Sequence, residues 1–357
     1  MKVLHLSFHY GCISDIQTVL TNVGCEVSYM FLKRTIPYHI TEAIAHQLWN
    51  TYKDLYQSYD IILTSDTVAL SYIFLLHLEE LKPHLIILNC NRYSYAMEHE
   101  PKFTQLLQMV QNNAAKYLSK VTYIPYTDFE RIWCGKNQIY LHERAIMPIG
   151  KYTKHINDAN DILDCFKPTD TQYRTKDIGE TIFLQNYHNY SQFMNLSKYL
   201  YDNCISVDKG SYVNLEEIKA YKAMVVLPDQ FSKYFTYESI QEDIVVFMPS
   251  AKFLMELVKK PGYYFSIEGS SGLLTPEFVN LCEWYKYPET RIYFDSFDEM
   301  VQLIHGLTPA RIESIRQWCQ FYGKVIIEEH TTQWKNIINK ISLHKQNNAS
   351  AHPKQTL

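Results

Sequence analysis

The sequence has no Cys-x-x-Cys pair, although it contains eight cysteines: Cys12, Cys25, Cys90, Cys134, Cys165, Cys204, Cys282 and Cys319. Most lie inside or beside apolar runs, which argues against a zinc ribbon or disulfide framework and for buried free thiols in a reducing compartment. No stretch approaches the roughly 18 apolar residues of a membrane span. The opening Met1–Phe8 is too short for the apolar core of a signal peptide and runs into a polar loop. A cytoplasmic location is therefore expected. Positive charge is not in excess: 34 Lys+Arg face 38 Asp+Glu, a net charge of −4. A nucleic-acid partner, which needs a basic face, is not expected. Nor do Lys and Arg form the runs that anchor a chain to a membrane surface.

What is present is a globular composition long enough for two domains. The 357 residues are 46% hydrophobic and 20% charged, so each half can bury a core. Short apolar runs recur at βα intervals. Lys2–Phe8 reads as a strand, His9-Tyr10-Gly11 as a loop, Ser14–Val23 as a helix that Gly24 stops with a left-handed cap, and Cys25–Leu32 as the next strand. Asp60–Ser65 and His84–Cys90 are near-continuous apolar runs, the pattern of strands buried on both faces of a parallel sheet. Phe103–Leu118 has helical spacing, Val121–Tyr126 reads as a strand, and Ala145–Gly150 as the last strand of this half. The polar, Asp-rich stretch Lys151–Asp177 has no sustained periodicity and reads as a linker.

The alternation then restarts. Thr181–Gln185, Ala223–Leu227, Ile244–Met248 and Arg291–Phe294 read as strands. Ser191–Tyr201, Ser232–Glu242, Ala251–Lys259, Phe297–His305 and Pro309–Cys319 read as helices. Ile326-Ile327 precedes a final amphipathic helix, His330–Ile341, whose apolar stripe is Trp334, Ile337, Ile338 and Ile341. The expected domains are 1–150 and 179–329, joined by a linker at 151–178. A C-terminal helix at 330–342 either crosses back to the first domain or stays in the core of the second, and a disordered tail follows at 343–357. Two doubly wound α/β halves place ligands at the carboxyl ends of their strands.

The segment Ala223–Leu257 resembles the donor-site segment of GT-B glycosyltransferases: a strand, a loop, a helix carrying a glutamate (here Glu238), then a strand ending in Pro-Ser (here Pro249-Ser250). The N-terminal opening, with its His9-Tyr10-Gly11 loop, and Met147-Pro148-Ile149-Gly150 are also similar to that family. The resemblance implies a GT-B type fold, two Rossmann-like domains with an interdomain cleft. It further implies a nucleotide-sugar donor, UDP- or GDP-linked, and a hydroxyl acceptor on a glycan or protein. The chain has no Asp-x-Asp, which fits the metal-independent branch of such enzymes, and no cofactor is expected. In many retaining members an acidic residue stands eight positions before the matching glutamate. Here that position is Gln230, with Asp229 just before it, so the stereochemical course stays open.

Several residues are candidates for this chemistry. The backbone at Gln230–Tyr234 offers free N–H groups to a diphosphate. Ser232 either caps the helix or bonds a phosphate, and Lys233 either adds charge there or is an exposed lysine. Glu238 either clamps ribose hydroxyls, as the resemblance implies, or is a solvated helix glutamate. Tyr237 beside it and His188, in the loop after the first strand of the second half, complete the donor-side set. On the acceptor side, His9 is a candidate general base because its pKa lies near neutrality, with Asp15 to orient it. Tyr10, Asp66 and Arg92 occupy loops on the same edge. The 29 tyrosines reflect either biased base composition or a sugar-binding cleft in which rings stack and hydroxyls bond. Glu268-Gly269-Ser270-Ser271-Gly272 lacks the Gly-Lys-Ser ending of a phosphate loop and reads as a mobile loop. Two other functions fit the same fold: a sugar-nucleotide epimerase or hydrolase, and a non-catalytic two-lobed binding protein.

Overall fold

A computed structural model describes the chain except residues 34, 91–92, 98, 118, 140–142, 151–160, 164–178, 186–192, 211–214, 232, 266–274 and 352–357. The first unit comprises Met1–Pro168 and Ile327–Leu357, and the second Thr169–Ile326.

The first unit holds five parallel strands: β1 (Lys2–Ser7), β2 (Glu26–Phe31), β3 (Ile61–Thr64), β4 (His84–Asn89) and β5 (Val121–Pro125), in the order β2-β1-β3-β4-β5. Its helices are α1 (Tyr10–Asn22), α2 (Glu42–Tyr56), α3 (Tyr72–Leu75), α4 (Pro101–Asn112), α5 (Ala114–Tyr117) and α6 (Asp128–Lys136). Every residue of β3 and β4 is buried, as their unbroken apolar runs predict for strands covered on both faces. The turn into β2 uses Gly24 at φ 85°, a left-handed conformation that costs glycine little.

The second unit repeats this plan with β6 (Ile182–Gln185), β7 (Val207–Gly210), β8 (Ala223–Val225), β9 (Val246–Pro249) and β10 (Arg291–Phe294), in the order β10-β9-β8-β6-β7. Its helices are α7 (Leu196–Asp202), α8 (Phe235–Gln241), α9 (Ala251–Leu257), α10 (Pro276–Val279) and α11 (Phe297–His305). Strand β7 escapes the sequence reading because Val-Asp-Lys-Gly, at the sheet edge, has no apolar run to betray it. The two-domain α/β fold, with two parallel five-stranded sheets and flanking helices, is thus present.

The structure corrects several expected elements. Ala145–Gly150 is not a strand; one bond, from the Ile146 amide to the Pro125 carbonyl at 2.9 Å, ties it beside β5. Within the expected linker, Asp161 forms an isolated parallel bridge with Tyr29; the rest of that linker, apart from Ile162 and Leu163, lies outside the described residues. The two helices expected near the C-terminus, with Ile326-Ile327 between them, are one 43-residue helix, α12 (Pro309–Ala351). No glycine or proline interrupts Lys324–Ala351, so nothing stops the helix at Ile326-Ile327. The expected disordered tail is therefore helical from Leu343 to Ala351. Trp334, Ile337, Ile338 and Ile341 of α12 pack into the first unit's core with Val3, Ile16, Leu63 and Ile86. At about 1.5–3 kcal/mol for each large side chain removed from water, that stripe is a substantial part of the unit's cohesion. No described helix is long and apolar enough to cross a membrane.

Candidate active site

In a doubly wound sheet, the strand order reverses direction at one point, and adjacent loops at the carboxyl ends part there to leave a crevice. In the first unit that point lies between β1 and β3. The loops concerned carry His9 and Asp66.

A buried polar chain supports the first loop. The hydroxyl of Ser65 donates to Ser7 Oγ at 3.0 Å, and that of Ser7 to the His9 carbonyl at 3.3 Å, while Ser7 Oγ accepts from the His9 amide at 3.1 Å. His5 Nε2 is 2.7 Å from Ser65 Oγ and, with the Ser65 proton already committed, acts as the donor. Burial drives the His5 pKa down to about 3, so this ring is a neutral structural link. His9 is the N-cap of α1, and its Nδ1 accepts from the Cys12 amide at 3.4 Å. In the neutral ring the proton then resides on Nε2.

Asp66 follows β3 in a left-handed conformation, φ 69°. Asparagine and aspartate tolerate that region better than most residues, and its use beside a crevice fits a functional constraint. Its amide donates to Cys90 Sγ at 3.4 Å. Burial, reinforced by negative charge at Cys12, pushes the Asp66 pKa up to about 7 against the opposing pull of His9 and Lys33. Tyr38 lies within electrostatic reach of Asp66, and burial raises its hydroxyl to about 12. Its ring packs 4.7 Å from Phe8 and 6.5 Å from Tyr95, centroid to centroid. The Cys12 thiol is lowered well below its usual range, first by a hydrogen bond from Cys90 and then by His9 and Tyr126. Cys90 moves the opposite way.

The structure brings His9 and Asp66 within electrostatic reach of each other and gives Asp15 two backbone donors. Asp15 Oδ1 accepts from the amides of Ile149 and Gly150, at 2.9 and 3.0 Å. Six residues along a helix also place it about 9 Å from His9 along the axis. Asp15 thus anchors the segment after β5, and Asp66 lies within electrostatic reach of the histidine. Tyr10 turns toward Phe31, 6.5 Å away and edge-on, in a small cluster with Ile13 and Tyr29. Arg92 lies outside the described residues. Cys12, Cys90, Lys33 and Tyr38 escaped the sequence reading. Only Cys90 carried a signal, its place at the end of an apolar strand.

The second unit's reversal lies between β6 and β8. The loop after β6, with His188, is outside the described residues, as are Ser232 and the glycine-rich 269–272. The loop after β8 is held from several directions. Tyr263 Oη donates to the Pro228 carbonyl at 2.7 Å, and Trp284 Nε1 to that of Gln230 at 3.0 Å. The Lys233 ammonium pairs with Asp229 at 2.9 Å, and the Lys233 amide donates to the buried carboxylate of Glu283. A carboxylate thus occupies one of the N–H groups expected to await a phosphate. Helix α8 begins at Phe235, three residues later than expected, and is two turns long, so its dipole is weak. Tyr237 is fully buried in the core, whereas Glu238 is half-buried on the same helix. Buried Arg291 braces α8 through the Thr236 carbonyl at 2.7 Å and Ser239 Oγ at 2.9 Å.

Among the described residues, no group of three or more His, Cys, Asp or Glu is arranged to hold a metal ion. No family model matches the chain, and no curated protein matches it. Among solved structures it is similar to a UDP-N-acetylglucosamine 2-epimerase at 10% identity, over 89% of this chain and 90% of that one, with a TM-score of 0.46. It is also similar to a provisionally assigned UDP-N-acetylglucosamine 2-epimerase from Listeria monocytogenes at 11% identity, over 85% of this chain and 96% of that one, with a TM-score of 0.41.

Proposed function

We propose that this protein is an enzyme acting on a nucleotide sugar, transferring the sugar from a UDP- or GDP-linked donor to a hydroxyl of a glycan or protein. The observation that carries the proposal is an Asp66 whose pKa is raised to about 7, within electrostatic reach of His9 at the first sheet's reversal point. A group that titrates near the working pH is an efficient proton acceptor or donor. Asp66 takes the proton of the attacking hydroxyl, and His9, whose Nε2 carries the proton while its Nδ1 accepts from the Cys12 amide, stabilises the charge that results. The partly exposed Tyr38 ring beside them offers a stacking face for a sugar. Glu238 of the second unit holds the ribose of the donor. The reading needs no cation, in keeping with the absence of Asp-x-Asp from the sequence.

One feature favours a second reading. Transfer requires a single base, whereas a carboxyl raised to about 7 within reach of an imidazole that carries its proton on Nε2 offers a base and an acid, which suit removal of a proton from a sugar carbon and its return. That is the work of an epimerase, or of a hydrolase if water intervenes, and 2-epimerase is the activity named for both solved neighbours.

Incubation with UDP- and GDP-sugars, with and without hydroxyl acceptors, separates these reactions. Transfer is expected only with acceptor present; product without acceptor supports epimerisation or hydrolysis. Activity should survive EDTA. A nucleotide-induced rise in melting temperature without turnover would mark a binding protein, and no rise with any nucleotide would sink the donor assignment.

A further inference from the structure

The Cys12 and Cys90 thiols have no part in the reaction proposed above, yet the fold brings them together. Cys12 lies in the first turn of α1 and Cys90 directly after β4, and their side chains are in hydrogen-bond contact. The Cys90 S–H has two acceptors in reach, the Cys12 sulfur and the Leu88 carbonyl at 3.7 Å. On its other side Cys90 Sγ accepts from the Asp66 amide, which fixes the sulfur's position. Both cysteines are free. Cys90 is half-buried and Cys12 is 4% exposed.

We propose that Cys12 and Cys90 are an oxidation site, closing to a reversible disulfide when the protein meets a peroxide. The Cys12 thiolate attacks one peroxide oxygen and breaks the O–O bond, giving a sulfenic acid and hydroxide. The Cys90 sulfur then displaces the sulfenic hydroxyl, and its proton ends in water. Two thiols and one hydrogen peroxide become one disulfide and two waters. Hydrogen bonds from Cys90 and His9 favour the Cys12 thiolate, the form that reacts. Other thiols contrast with it: burial pushes Cys134 up to about 12 and Cys319 to about 11, which leaves both inert at neutral pH.

The bond would tie the start of α1 to the end of β4 beside Asp66 and remove the negative charge that helps keep Asp66 protonated. Its effect on turnover rests on the acid–base reading of His9 and Asp66; the bond itself does not.

The test exposes the full chain to near-stoichiometric hydrogen peroxide, alkylates the remaining thiols, and maps peptides without reduction. A Cys12–Cys90 peptide pair should form before any other, with loss of two alkylatable thiols, and dithiothreitol should restore them. In Cys90→Ser the expected product is a Cys12 sulfenic acid trapped by dimedone. A first disulfide elsewhere, direct passage of Cys12 to sulfinic acid in the unaltered chain, or pairing only after unfolding in urea would overturn the proposal. Should the variant fail to fold, mapping of the unaltered chain still decides. Bond formation with unchanged turnover would establish the site and count against the catalytic role given to His9 and Asp66.

Discussion

The two units repeat one strand order, 2-1-3-4-5 in each unit's own sequence, but equip the point of reversal differently. In the first, His9, Asp66, Cys12 and Cys90 form a cluster in which Asp66 is raised to about 7, the Cys12 thiol is lowered and the Cys90 thiol is raised. In the second, the loop after β8 has its charges answered locally, Lys233 by Asp229 and the Lys233 amide by Glu283. One fold can thus carry two differently equipped edges, because topology fixes where a ligand can sit while side chains decide what could happen to it.

The largest test of this division is a crossed pair of substitutions. His9→Ala and Asp66→Asn should each lower turnover by about 10²–10⁴-fold, the usual contribution of a positioned acid or base, while nucleotides still raise the melting temperature. Glu238→Ala should do the reverse and weaken that nucleotide response. If His9→Ala abolishes nucleotide binding, or Glu238→Ala leaves it intact, the two edges do not divide the work as proposed.

The comparison also shows what the sequence could reveal. Buried parallel strands such as β3 and β4 announce themselves because both faces are apolar; an edge strand such as β7 does not. Glu238, His9 and Asp66 were legible as residues at the ends of strands or on the following helix. The electrostatic reach of Asp66 to His9 was not, because nearness in sequence favoured Asp15. Asp66 reaches the histidine only because β3 lies beside β1 in register, His5 opposite Leu63 and Leu6 opposite Thr64. Glu283 was illegible for the same reason, since its contact with the Lys233 amide joins segments fifty residues apart.

The next effect is on stability. Trp334→Ala should destabilise the first unit by about 3–5 kcal/mol, the range for deleting a buried aromatic, measured by urea unfolding of the full chain. A loss below about 1 kcal/mol would show that α12 is not integral to that core.

Acidity should act on the first unit with a predictable sign. His5, with its pKa lowered to about 3, and His84, lowered to about 4 by burial, bind protons less readily folded than unfolded. Their stabilising contribution is complete above the unfolded histidine pKa of about 6.5 and is lost as pH falls from there toward those values. His5→Gln keeps a partner for Ser65 but cannot titrate, so its urea midpoint should depend less steeply on pH below about 6.5. Asp66 has the opposite sign. Its raised pKa makes the folded state costlier as pH climbs from the unfolded aspartate value of about 3.9 to about 7, so Asp66→Asn should gain stability relative to the unaltered chain at pH 8–9 (roughly one to two units above the folded value) and almost none at about pH 3.5, below the unfolded one. An equal gain at both pH values would assign the effect to packing.

The smallest expected effect probes the quieter edge. The Lys233–Asp229 pair is partly buried, with side-chain exposures of 13% and 22%, so replacing Lys233 with Met should cost no more than about 1 kcal/mol of stability. Nucleotide affinity is the more informative readout. If the ammonium serves only to hold Asp229 and shape the loop, UDP and uridine should lose affinity equally in Lys233→Met. If it leaves Asp229 for the diphosphate, UDP alone should weaken, and the loss should shrink at high salt as screening removes the charge's reach. The geometry favours the first outcome, because the carboxylate at 2.9 Å is already the ammonium's partner. The second would make the loop after β8 a switch, in which Asp229 yields its lysine when the donor arrives.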